Sequence, residues 1–238
     1  MPIEERWVEN GAVRLHCLGQ ETDSALTPFL IVPGTFGLAE DYVQEMEALA
    51  PRRCLTVSLR GRGRSDAPMN GYRFEDHVAD IAAAAPQLGD ERFAMMGYSM
   101  GAAYALGFAA QQSARLAGVI VGDYPARYRA LSPKWAERAV ASMPERARPE
   151  VAQALQRESS EVLLWDSLGS LDCPVMILKG GQPGSMVTAE IAAMYLERLK
   201  EGEIVTLDQN AHELWRPDFE SYIGAIRAFL ERVDHAQI

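Results

Sequence analysis

Ser99 stands at the centre of the run Gly97-Tyr98-Ser99-Met100-Gly101. A G-x-S-x-G run between a strand and a helix makes a turn so tight that its flanking positions have no room for side chains, and glycine supplies that room. Such a turn lifts the serine hydroxyl to the carboxyl end of a sheet, over a helix N-terminus whose dipole favours developing negative charge. A serine hydroxyl is a poor nucleophile at neutral pH and needs a base. Of the four histidines, His16 falls in a strand-like run, His77 in a helical stretch and His235 in the tail. His212 alone sits in a late loop beyond the serine, in Asp208-Gln209-Asn210-Ala211-His212-Glu213-Leu214-Trp215. The pair predicts acyl transfer, with Ser99 as nucleophile and His212 as base. Asp208 and Glu213 lie too close to His212 in sequence to face its Nδ1.

The elements that must carry these residues alternate. Asn10-Gly11 between strand-like runs predicts a hairpin. The apolar runs Phe29–Val32, Leu55–Ser58, Phe93–Met96, Val119–Val121, Val175–Leu178 and Ile204–Leu207 read as strands, most of them buried on both faces. Helices are predicted over 38–50, 74–88, 100–112, 189–200 and 218–232. Strands alternating with helices imply right-handed crossovers and a parallel sheet. Residues 126–170 break the rhythm: they carry no strand signal, hold three prolines, Trp135 and Trp165, and read as mostly helical. An insertion of that length at a strand's carboxyl end is expected to form a lid.

Composition narrows the partners. The 238 residues carry 23 Lys and Arg against 33 Asp and Glu, a formal charge of −10. That balance argues against nucleic acid or an anionic membrane as a partner. No apolar run approaches the ~18 residues of a membrane helix, and the charged Met1–Arg6 start does not resemble a secretory signal. Cys17, Cys54 and Cys173 are far apart and odd in number, which predicts buried, inert thiols and a cytoplasmic location. No histidine pairs with another His or Cys at zinc spacing, so no metal and no cofactor are expected. Arg60, Arg62 and Arg64 alternate with glycines but lack the Lys-Ser/Thr of a phosphate loop, and read as a structural loop. Gly180–Ser185 likewise lacks the dinucleotide fingerprint. Arg127 and Arg129 read as solvated lid charges.

Taken in order, Val32-Pro33-Gly34-Thr35-Phe36-Gly37, Leu59-Arg60-Gly61-Arg62-Gly63-Arg64-Ser65-Asp66, the turn Gly97–Gly101 and Asn210-Ala211-His212 resemble the α/β-hydrolase family over essentially the whole chain. The resemblance implies a three-layer α/β/α sandwich with a mostly parallel central sheet: a core of residues 1–125 and 171–238, and a short helical cap over 126–170. It also implies an oxyanion hole built from the backbone N–H groups of Met100 and Thr35. Two departures stand out beside Ser58, which replaces the usual Asp. Pro33 stands where the family usually has a histidine that braces the Thr35 loop. The loop after the post-cap strand, Leu178–Ser185, holds no carboxylate, although the family usually places its acid there. Some members place the acid one strand earlier, and in Gly122-Asp123-Tyr124-Pro125 the residue that fits is Asp123.

The sequence therefore predicts a serine hydrolase acting on a small ester, thioester or lactone with an apolar acyl part. Phe36, Tyr98, Tyr124, Tyr128, Trp135, Trp165 and Trp215 are the aromatic candidates for its pocket, and the short cap predicts a small or fairly open one. The partner is a small-molecule substrate; oligomeric state is not readable. Two other readings stay open: a carbon–carbon bond hydrolase or lyase on the same scaffold, and a catalytically weak ligand-binding protein of this fold, suggested by the two departures.

Overall fold

A computed structural model describes residues 2–89 and 91–236. In chain order its elements are β1 (Ile3–Asn10), β2 (Val13–Gln20), β3 (Phe29–Val32), α1 (Val43–Ala48), β4 (Cys54–Ser58), α2 (Phe74–Ala84), β5 (Phe93–Tyr98), α3 (Met100–Gln112), β6 (Leu116–Gly122), β7 (Arg127–Tyr128), α4 (Trp135–Ser142), α5 (Pro149–Glu158), β8 (Val162–Leu163), β9 (Val175–Gly180), α6 (Ala189–Arg198), β10 (Gly202–Leu207) and α7 (Phe219–His235). Short 3-10 turns extend α1 at its start and α2 at its end. The helix expected over 38–50 is thus two shorter pieces.

Eight of these strands form one sheet in the order β1-β2-β4-β3-β5-β6-β9-β10. β1 and β2, and β2 and β4, run antiparallel; the other neighbours are parallel. Asn10 pairs with Val13, so the hairpin loop is Gly11-Ala12, one residue later than Asn10-Gly11, and Gly11 takes the positive φ of 60°.

The apolar runs are continuous because each strand feeds two cores. Side chains alternate across a strand. Leu30, Val32, Leu55, Val57, Met95, Val119, Val121 and Ile177 join one core, with Phe74, Val78 and Ile81 of α2, Tyr104 and Phe108 of α3, and Tyr195 of α6. Phe29, Ile31, Cys54, Ala94, Met96, Ile120, Met176 and Leu178 face the other side, against Met46 of α1 and Tyr222, Ile226, Phe229 and Leu230 of α7. The result is a three-layer sandwich. Cys17, Cys54 and Cys173 are buried and unbridged, and burial pushes their thiols up to about 12, 12 and 11.

Between β6 and β9 the chain is not wholly helical. Arg127–Tyr128 and Val162–Leu163 pair antiparallel as a two-stranded stem, too short to leave a period in the sequence. Beyond it α4 and α5 share a small core of Ala136, Ala139, Val151, Ala152 and Leu155 with Phe36 and Tyr72 of the main body. Polar bonds reinforce this seat. The Glu158 carboxylate accepts from the N–H groups of Gly71 and Tyr72 at 2.9 and 2.8 Å, and Arg146 forms a two-pronged ion pair with Asp41.

The arginine-glycine loop after β4 is structural. The Arg60 guanidinium donates to both oxygens of Asp80 on α2, at 2.9 and 2.6 Å, and to the Gly71 carbonyl at 2.8 Å. Both side chains are buried. Removing one member of a buried pair strands the other charge, at about 3–5 kcal/mol. Asp80→Asn should therefore lower the unfolding free energy by about 3 kcal/mol, measured by urea denaturation. A loss below about 1 kcal/mol would show that the loop does not depend on the pair.

Candidate active site

The chemistry-bearing residues gather at the carboxyl ends of adjacent parallel strands, where ligands bind in open α/β sheets. Gly97 pairs with Val32 of β3 and Val121 of β6. The residues that follow these three strands thus lie side by side: the Thr35 loop, Ser99 and Asp123. Ser99 has φ 52° and ψ −130°, the strained centre of the turn. The glycines around it answer a real crowding. A Cβ on Gly97 would lie 2.5 Å from the Gly101 carbonyl oxygen, and one on Gly101 would lie 2.2 Å from that of Pro33.

His212 bridges two of these residues. Its Nε2 is 3.0 Å from Ser99 Oγ and its Nδ1 is 2.8 Å from Asp123 Oδ2. Asp123 is fully buried. Burial alone would raise its carboxyl above the ordinary value, but hydrogen bonds from His212, the Ser185 hydroxyl and the Met186 N–H outweigh it and hold the carboxyl low. Asp123 is therefore ionised at neutral pH and can only accept. Nδ1 must then carry the imidazole proton, which leaves the Nε2 lone pair facing the Ser99 hydroxyl.

The loop that lacks a carboxylate has another task. Ser185 Oγ donates to Asp123 Oδ1 at 2.6 Å, Met186 N–H to Oδ2 at 2.9 Å and Val187 N–H to Oδ1 at 3.2 Å. Ser185 was visible in the sequence only as one more small residue of a loop. The His212 loop is pinned as well: buried Asn210 donates to the carbonyls of Leu214 and Asp218 at 2.6 and 3.1 Å. The Tyr98 hydroxyl donates to the His212 carbonyl at 2.9 Å.

Arg62 is a second residue that the sequence did not single out for the site. It is buried, and its Nε–H donates to the Thr35 carbonyl at 2.8 Å. Its Nη1 lies 2.8 Å from His77 Nε2, and His77 Nδ1 lies 2.8 Å from the Arg73 carbonyl. A carbonyl only accepts, so His77 Nδ1 bears the proton and Nε2 receives from Arg62. Burial, with the Arg62 charge beside it, drives the His77 pKa well down and keeps the ring neutral. The Thr35 loop, which has Pro33 in place of a bracing histidine, is thus held from the arginine-glycine loop and α2.

Two cavities meet at Thr35 and Ser99. The first, about 490 Å³, is lined also by Met100, Tyr124, Arg129, Leu131, Ser132, Trp135, Arg138 and Met186. The second, about 730 Å³, is lined also by Phe36, Tyr98, His212, Trp215, Asp41, Glu45, Glu213 and Arg146. Both fall within the usual ~300–1,000 Å³ range of ligand pockets, and neither is enclosed, so of the small or fairly open pocket expected the structure has the open form. Phe36, Tyr98, Tyr124, Trp135 and Trp215 reach one cavity or the other. Trp165 does not: it packs on Tyr195 of α6, ring centroids 5.1 Å apart, and lines neither. Tyr128 also turns inward, against Phe74 and Tyr104. Aromatic type marks burial, but not which cluster will claim the ring.

The chain belongs to the α/β-hydrolase fold family, whose model matches residues 27–181. Among curated proteins it is similar to haloalkane dehalogenase 2 of Mycobacterium tuberculosis, 28% identical over 124 residues, which are 51% of this chain and 42% of that protein. The match therefore spans less than half of the relative's length. Among solved structures, an esterase from Rhodococcus sp. ECU1013 superposes with a TM-score of 0.80 at 21% identity, covering 98% of this chain and all of the other. A proline iminopeptidase of Mycobacterium smegmatis gives 0.75 at 17%, covering 99% of this chain and 100% of its own. At these identities the likeness speaks for the fold alone. No described helix is long and apolar enough to cross a membrane.

Glu45, in the wall of the second cavity, is a buried carboxyl that the sequence did not flag. Burial pushes it up to about 7, against a smaller opposing effect of the Tyr222 hydroxyl. The folded group keeps its proton to about pH 7, whereas the unfolded group loses it near 4.5. Stability should thus fall as pH rises between those values and level off above them. Glu45→Gln should remove this component, about 3 kcal/mol, from the difference between urea unfolding at pH 5 and pH 8. An unchanged pH dependence in the variant would contradict it.

Proposed function

We propose that the protein is a serine hydrolase that cleaves a small ester, thioester or lactone through an acyl-enzyme on Ser99. The observation that carries this reading is the double grip on His212, with Nε2 at 3.0 Å from Ser99 Oγ and Nδ1 at 2.8 Å from buried Asp123. In the first step the Ser99 proton passes to Nε2 as Oγ bonds to the substrate's carbonyl carbon. The carbonyl oxygen becomes an oxyanion, which the N–H groups of Thr35 and Met100 stabilise. Met100 is the first residue of α3, where backbone N–H groups have no partner within the helix. Collapse of the intermediate breaks the bond to the leaving group, which takes the proton from Nε2. A water then gives its proton to His212 and adds to the acyl carbon. The second collapse frees the acid, and the proton returns to Ser99. Asp123 stabilises the imidazolium in both halves. The segment 126–170 serves as the lid over the acyl carbon.

Ser99→Ala should abolish both turnover of p-nitrophenyl esters and covalent labelling by a fluorophosphonate, with the circular dichroism spectrum retained. Activity persisting in this variant would overturn the mechanism. Asp123→Asn should lower kcat by roughly 10²–10⁴, because an amide in that socket no longer stabilises the imidazolium. Wild-type kcat in that variant would remove Asp123 from the mechanism and leave Ser99 and His212 in place.

A further inference from the structure

The two cavities that share Ser99 differ in the groups they offer. His212 lines only the second, and Met100 only the first. Under the serine-hydrolase reading, on which this inference rests, the leaving group must receive its proton from His212 Nε2. It therefore departs on the side of the second cavity, and the acyl chain lies in the first. Arg129 and Arg138, both exposed to solvent, are among the residues that line that first cavity, and no carboxylate is.

Neither arginine is neutralised. Some of the other arginines pair with acids, as in Arg52–Asp234, Arg60–Asp80 and Arg146–Asp41, whereas among the described residues Arg14, Arg127 and Arg216, like these two, have no carboxylate within 4.0 Å. Among the described residues, Arg129 has no carboxylate within 4.0 Å and no hydrogen-bond partner, while Arg138 donates only to the neutral Ser132 hydroxyl, at 2.8 Å. The charge of Arg129 is felt inside the cavity, where it opposes the upward push of burial on the Tyr124 hydroxyl. Arg138 lies one helical turn beyond Trp135 on α4, so ring and guanidinium share a face. A net charge of −10 repels anions at long range. Screening over about 8 Å at physiological salt leaves the nearby cations to decide what binds. Arg129 is exposed, as expected of a solvated charge, yet it and Arg138 line the cavity that adjoins Ser99, where the sequence suggested an apolar acyl group.

We propose that this cavity selects an acyl group carrying its own carboxylate, which Arg129 and Arg138 hold while Ser99 attacks the other end. The substrates are then half-esters or half-thioesters of dicarboxylic acids.

The test compares mono-p-nitrophenyl adipate with p-nitrophenyl hexanoate, which share a leaving group and chain length and differ in the terminal carboxylate. The wild type should favour the anionic ester in kcat/KM by roughly tenfold or more. Arg129→Gln and Arg138→Gln should each cut that ratio several-fold, chiefly through KM, and 0.5 M sodium chloride should shrink it in the wild type. Adipate itself should bind to the Ser99→Ala protein in calorimetry and be lost when either arginine is also replaced. Equal cleavage of the two esters, or a ratio unchanged in both arginine variants, would overturn the proposal and leave the serine-hydrolase reading intact. Arginine-dependent adipate binding without turnover of either ester would support the anion site and overturn that reading instead.

Discussion

The imidazole of His212 is held at both nitrogens at once, by residues that leave β5 and β6, while its own loop leaves β10. That condition fixes the ends of three strands relative to one another to within a fraction of an ångström, since either bond fails if one loop drifts. The backbone meets it by continuing the sheet's pairing past the strands. Ser99 N–H donates to the Gly122 carbonyl at 2.8 Å, Asp123 N–H to that of Leu178 at 2.9 Å, and Gly181 N–H to that of Leu207 at 2.8 Å. Gln182 N–H then reaches the Asn210 carbonyl at 3.0 Å. A chain of main-chain bonds thus runs sideways across the top of the sheet, and the three functional side chains hang from it.

The local backbone carries strain there. Among the described residues Ser99 and Asp123 are the non-glycine positions with left-handed φ, at 52° and 44°. Each such residue costs of order 1–3 kcal/mol, and two in neighbouring loops are tolerable only over a rigid base. The double core supplies it, because every central strand is gripped from both faces. The same strain aims the two side chains at the imidazole from opposite sides.

Much of this was legible in the sequence, for reasons of geometry. A strand buried on both faces must be apolar throughout, so Phe29–Val32 and Phe93–Met96 announced themselves. A turn in which Gly101 approaches the Pro33 carbonyl admits only glycine, so the G-x-S-x-G spacing marked its place. The empty acid position after β9 directed attention to Asp123, and the structure brings that residue onto His212. What escaped were contacts without a local pattern. Arg62 reaches the Thr35 carbonyl across 27 residues, and Ser185 reaches Asp123 across 62. The β7–β8 stem is two residues long, and Trp165 chose Tyr195 over the cavity. Net charge was a poor guide to the cavity's character, because ten excess acids over the whole chain say nothing about which side chains surround 490 Å³ of it.

The seat of α4 has a mechanical consequence. Phe36, the residue after Thr35, stacks on Trp135 with centroids 5.9 Å apart and planes 19° from parallel, and is almost wholly buried there. Thr35 itself is tethered by its carbonyl to Arg62, whose guanidinium also lies over the Phe36 ring, 5.8 Å from its centroid. One short stretch of chain is therefore held both by α4 and by the body. Any shift of α4 must peel an aromatic face into water and slacken one of those two restraints. Helix α4 and the peptide beside Ser99 are thus coupled through a single ring.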